Sequence, residues 1–136
     1  MIGIDTNVVV RYLAQDDPEQ SPVASALIDE LTETDPGYVS LVTIVEIYWV
    51  LRRAYKVTAE RCCELLAGLL DARELRVDRS AVVRAALTAT RGGLDFADSV
   101  IAELGSAAGC DHTVTFDQRA ARDGSMRILD AKRLAR

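Results

Sequence analysis

Met1-Ile2-Gly3-Ile4-Asp5-Thr6-Asn7-Val8-Val9-Val10 opens the chain and decides how the rest is read. An apolar run ends in an acid, a hydroxyl and an amide, and Val9, Tyr12 and Leu13 then recur at helical spacing. This is the pattern of a strand that stops at Asp5 and turns into a helix. In open α/β folds that turn lies at the carboxyl edge of the sheet, where sites are built. Asp5 or Asn7 can equally cap the helix by accepting its first free N–H groups. The same placement of an acid recurs at Glu46, Asp98 and Asp117.

Outward from this stretch, Asp16-Asp17-Pro18 reads as a turn. A second helix is expected from Ser21-Pro22, as N-cap and first position, to about Leu31, with Ala24, Leu27, Ile28 and Leu31 on one face. Asp35-Pro36-Gly37 breaks the chain before a short strand, Tyr38-Val39-Ser40-Leu41. A third helix from about Val42 to Tyr55 carries Ile44, Ile47, Tyr48 and Leu51 on its apolar stripe. Glu46 lies off that stripe, and Thr43-x-x-Glu46 matches a capping box. Thr58 is the expected cap of a fourth helix built on Cys62, Leu65, Leu66, Leu69 and Leu70.

Leu75-Arg76-Val77 reads as a strand, and a fifth helix on Val82, Val83, Ala86 and Leu87 stops at Gly92-Gly93. Asp95 suits the N-cap of a sixth helix ending near Gly109, which puts Asp98 in its first turn, where the helix dipole favours an acid. Thr113-Val114-Thr115-Phe116 is a strand with Asp117 at its end. Asp123-Gly124-Ser125 turns into a last strand, Met126-Arg127-Ile128-Leu129. Alternating strands and helices imply one α/β domain over residues 1–136, its mainly parallel sheet covered by helices on both faces.

Composition narrows the chemistry. The 136 residues, 49% hydrophobic and 27% charged, suit one soluble domain. No apolar run approaches the roughly 20 residues that cross a bilayer, and no export signal opens the chain, so a cytoplasmic location without membrane contact is expected. Cys62 and Cys63 are adjacent, which makes a poor intramolecular disulfide, Cys110 stands apart, and no Cys-x-x-Cys zinc spacing occurs. Cys62 falls on the apolar stripe as a core residue, and His112 is the only histidine. Serine–histidine and histidine-based metal chemistry are thereby excluded. The net charge of -5 runs against a general nucleic-acid binder. The cations are 14 arginines and two lysines, Lys56 and Lys132, and arginine is the better fork for phosphate.

In a parallel sheet all strand carboxyl ends share one edge, so Asp5, Glu46, Asp98 and Asp117 are expected to converge. Four carboxylates at close range repel, and a divalent cation removes the conflict, because magnesium and manganese take oxygen ligands. Asp5-Thr6-Asn7-Val8, Glu46 after Ser40-Leu41-Val42-Thr43, Asp95-Phe96-Ala97-Asp98-Ser99-Val100-Ile101-Ala102 and Thr115-Phe116-Asp117 resemble the motifs of PIN-domain nucleases. The closest resemblance is to the VapC-type toxins of bacterial toxin–antitoxin pairs, over essentially the whole chain.

The resemblance implies a five-stranded parallel sheet, a magnesium-dependent endoribonuclease, a homodimer, and inhibition by a small VapB-like antitoxin. It matches Asp5, Glu46 and Asp98 to the family's three core acids and Asp117 to a more variable fourth. It gives Asp95 no role. Manganese is an expected substitute for magnesium. Asp5 and Asp98 are expected to ligate most directly, Glu46 through water or by orienting the attacking hydroxide, and Asp117 in support. Thr6, Asn7, Ser40 and Thr115 are candidates to hydrogen-bond these carboxylates, and Arg11 or Arg52 to meet RNA phosphate.

A receiver domain needs a phosphoacceptor aspartate that Ser40-Leu41-Val42-Thr43 lacks. Haloacid-dehalogenase phosphatases carry a second aspartate where Asn7 stands. The alternative of another class is a non-catalytic RNA-binding or regulatory PIN domain.

Overall fold

Ser40, Thr58 and Asp95 each cap a helix with a side-chain oxygen, Asp5 stands at the start of another, and these starts fix where the acids sit. The computed structural model describes residues 1–131. Lys132 and the end of the expected 1–136 domain lie outside them. Five strands and six helices alternate: β1 (Ile2–Gly3), α1 (Thr6–Ala14), α2 (Gln20–Glu30), β2 (Gly37–Val39), α3 (Leu41–Arg53), α4 (Ala59–Asp71), β3 (Leu75–Val77), α5 (Ser80–Arg91), α6 (Phe96–Ala107), β4 (Thr113–Thr115) and β5 (Met126–Ile128). The α/β class is as expected.

The chain divides into two compact units, Met1–Ser80 and the chain from Ala81 onward. In the first, parallel β1, β2 and β3 pair in that order, with Ile2 opposite Gly37 and Val39 opposite Val77. Helix α1 packs on α2 and α3, and α3 on α4. Val9, Val39, Ile44, Ile47, Leu51, Cys62, Cys63 and Leu66 are its most deeply buried side chains. In the second unit β4 and β5 pair in parallel, Thr113 opposite Met126, and α6 packs on β4. Ala102, Ala120 and Met126 form a buried cluster there.

One five-stranded sheet was expected. Among the described residues the five strands form a three-stranded and a two-stranded sheet instead. With two or three residues apiece, the strands are at the short end of the usual range. Each ladder ends after two or three residue pairs.

Two local expectations also need correction. Helix α2 begins at Gln20, ahead of Ser21-Pro22. The Asp17 carboxylate accepts from the N–H groups of Glu19 (2.9 Å) and Gln20 (2.8 Å), which holds its pKa below the usual carboxylate value. The Ser21 N–H bonds the Asp17 carbonyl at 3.0 Å, and Pro22, third in the helix, has no N–H with which to continue that ladder. Strand β2 ends at Val39, because Ser40 leaves the ladder to cap α3.

Candidate active site

The acids are best judged by what their carboxylates do, because capping is the alternative use of each. Asp5 stands at the N-cap of α1 with extended backbone, yet its side chain makes no capping hydrogen bond. The cap of α3 is Ser40, whose hydroxyl accepts from the Thr43 N–H at 3.1 Å. Thr43 is therefore inside the helix, and the Thr43–Glu46 capping box, the alternative use of Glu46, does not form. Glu46 instead accepts a 3.2 Å hydrogen bond from the hydroxyl of Thr6, the residue after Asp5. Thr6 is 6% exposed, so this donor is held in place by packing. The first unit thus ties Glu46 to the start of α1, beside Asp5.

In the second unit the cap of α6 is Asp95, which accepts from the Asp98 N–H at 3.1 Å. Asp95 is thus the N-cap expected of it, a role that the family resemblance does not assign. The Asp98 carboxylate is left with no part in the cap. Its pKa is raised by partial burial, and then by the neighbouring charges of Asp95 and Asp117. Asp117 follows β4 by two residues; its N–H donates to Thr115 Oγ1 (3.0 Å) and its carboxylate accepts from the Arg119 N–H (2.8 Å). Ser99, where alanine is common in the resembling family, is buried with its hydroxyl donating to the Asp95 carbonyl at 2.8 Å.

The expected acids therefore come together as two pairs, Asp5 with Glu46 and Asp98 with Asp117. Among the described residues no group of three or more His, Cys, Asp or Glu stands ready to hold a metal ion. The donors do fit a hard divalent cation in kind. All are carboxylates, and Asp98 bears a cost from its acidic neighbours that a cation would relieve.

Of the expected supporting residues, Thr6 and Thr115 do bond to the acids or their backbone, whereas Ser40 serves the helix start. Arg11 is engaged by Gln20 (2.9 Å), Asp16 (3.4 Å) and the Tyr55 hydroxyl (2.8 Å), and Arg52 by the Val57 carbonyl (3.0 Å). The Arg11–Tyr55–Asp16 network had no signal in the sequence, since Tyr55 is remote from its partners along the chain. Cys62 is fully buried, and burial pushes its thiol pKa up, so it is an inert core residue. No described helix is long and apolar enough to cross a membrane.

The sequence pattern of the PIN domain matches residues 2–124. The chain belongs to the PIN domain family. PIN domains are generally nucleases, and the matched span contains all four acids. No curated protein matches this PIN domain at a significant level.

Proposed function

We propose that this PIN domain is a magnesium-dependent endoribonuclease, with manganese as a working substitute, and the toxin of a VapBC-type toxin–antitoxin pair. One observation carries the nuclease reading. Asp5 and Asp98 stand at helix starts and Glu46 in the second turn of α3, and none of the three carboxylates is spent on capping. Acids kept out of the obvious structural use are available for chemistry.

Asp5, Glu46, Asp98 and Asp117 are the residues that would hold the cation. When bound, it lowers the pKa of a water and stabilises negative charge on the phosphate. Within the chain, Glu46, fixed by Thr6, orients the attacking water and draws on its proton. Asp117, fixed by the Arg119 N–H, supports that orientation. The water oxygen bonds to phosphorus, the bond to the leaving ribose oxygen breaks, and that oxygen takes up a proton. RNA is thus the substrate, and a small VapB-like antitoxin, a homodimer and a cytoplasmic location complete the proposal by family resemblance.

The test is RNA cleavage by purified protein with magnesium, manganese or chelator. Cleavage should need the metal, and Asp5→Asn and Asp98→Asn should each lower it by about a hundredfold or more with the fold intact, because each removes a charge at nearly constant shape. RNA binding without cleavage in any metal would identify the regulatory PIN domain instead. Growth arrest on induction of the wild type, absent for Asp98→Asn, tests the toxin assignment separately.

A further inference from the structure

Exposed aromatic rings occur at two places, and both adjoin a proposed acid. The chain holds one tryptophan, four tyrosines and two phenylalanines. Phe96 is buried and all four tyrosines are half-buried. Only Trp49, at 58%, and Phe116, at 79%, are exposed. A single exposed apolar side chain is ordinary. The coincidence with the acids is not: Trp49 follows Glu46 by one helical turn, and Phe116 directly precedes Asp117.

On α3, Val42, Glu46, Trp49 and Arg53 recur at the spacing that places side chains on one face, and all four are exposed. Ile44, Ile47 and Leu51 occupy the buried face. The Arg53 guanidinium carbon lies 5.3 Å from the centroid of the Trp49 ring, a cation–π contact. In the second unit Val114 stands exposed on one face of β4, and Phe116 follows the last residue of that strand. Arg127, opposite Val114 in the β4–β5 ladder, adds an exposed cation to that face. Trp49 therefore has a guanidinium against its ring, and Phe116 has one on the strand pair that leads to it.

A second copy of the chain would want a different surface, since interface cores are depleted of aspartate and glutamate, and exposed Glu46 and Asp117 adjoin these rings. A ring for a base beside an arginine for a phosphate is what unpaired nucleic acid requires. We propose that Trp49 and Phe116 are base-stacking residues, each holding an unpaired RNA base beside the acid it adjoins. The identity of the ligand rests on the nuclease reading above.

Trp49 is the only tryptophan, so its emission reports on its own ring. In chelator, the wild type is titrated with a short single-stranded oligoribonucleotide, the same RNA as a duplex, and inorganic polyphosphate. The single strand should quench Trp49 emission, and the duplex and polyphosphate should leave it nearly unchanged. The variant Trp49→Phe/Phe116→Trp moves the fluorophore to the second ring and should behave alike. Trp49→Ala and Phe116→Ala should each raise the Kd for the single strand about tenfold, and Trp49→Phe and Phe116→Tyr should restore most of it.

Emission indifferent to RNA, equal quenching by polyphosphate or duplex, or unweakened binding by both alanine variants would overturn the inference. So would a Trp49→Ala variant that falls from dimer to monomer while binding RNA as before, since the ring would then serve a second copy. Cleavage without quenching sinks the stacking residues and leaves the nuclease reading standing. Quenching without cleavage in any metal does the reverse.

Discussion

Asp98 is the residue whose surroundings most oppose its charge, through partial burial first and then through Asp95 and Asp117. Its folded-state pKa therefore lies above its unfolded value. Below the unfolded value, about 3.9 for aspartate, the group is protonated in both states and costs nothing. As pH rises through the folded value the folded protein alone carries the cost, and stability falls. In chelator, Asp98→Asn should melt above the wild type at pH 7, and the gap should close toward pH 3. The gain stays under about 1 kcal/mol, because solvent screens a partly exposed carboxylate. If Asp98 served only the helix dipole, its loss would lower the pH 7 melt by a few tenths to about 1 kcal/mol. A lower-melting variant at pH 7 rejects the crowding.

Thr6 gives a second test at this scale. Its hydroxyl fixes Glu46, so Thr6→Val should lower the cleavage rate about tenfold, the worth of a charge-assisted hydrogen bond near 1.5 kcal/mol, while Thr6→Ser keeps it. Equal rates for all three would leave Glu46 with another partner. The sequence placed Thr6 and Glu46 as candidates but did not decide the cap. A capping box at Thr43 and a serine cap at Ser40 differ only in where the helix begins, and the apolar run Leu41-Val42 fits a strand end or a first turn equally.

Among the elements, α6 and β4 matter most to the second acid pair, since Asp98 rides on one and Asp117 follows the other. Their approach is close at Gly105, where a Cβ would lie 2.6 Å from Thr113 Oγ1. Two effects oppose each other in Gly105→Ala. Alanine favours the helix by about 1 kcal/mol over glycine, while overpacking costs about 1–3 kcal/mol. The single variant should thus be neutral or destabilised by up to about 2 kcal/mol. In a Thr113→Ala background the obstruction is gone and the same change should stabilise. Denaturation of the four proteins of this cycle measures the coupling, and strict additivity would show that the contact is soft.

Helix starts at Thr58 and Asp95 were legible because an oxygen-bearing side chain stands just before an apolar periodic run. That at α2 was misread because Asp17 reaches forward past Pro18 to cap it, and Pro22, which looked like a first position, stands third.

For the whole molecule, the α/β class was legible from alternation, since helix and strand periods differ. Sheet membership was not, because strands of two or three residues carry too little pattern to state their neighbours. The acids divide likewise: chain order reveals four candidates, while only side-chain geometry shows Thr6 holding Glu46 and the Asp5 carboxylate left out of its cap. The proposed metal makes a demand on the entire chain, because Asp5 and Glu46 belong to one unit and Asp98 and Asp117 to the other. A cation that binds only the folded protein stabilises it by RT ln(1 + [L]/Kd), about 2.7 kcal/mol at a hundredfold excess over Kd. Thermal melts with magnesium and with chelator measure that increment. For the wild type it should be present, and Asp5→Asn and Asp98→Asn should each shrink it, although they alter different units. An increment lost with Asp98→Asn and untouched by Asp5→Asn would confine the cation to the second unit and remove Asp5 from the ligand set. An increment equal in all three proteins would place the magnesium elsewhere and leave both acids without the role assigned to them.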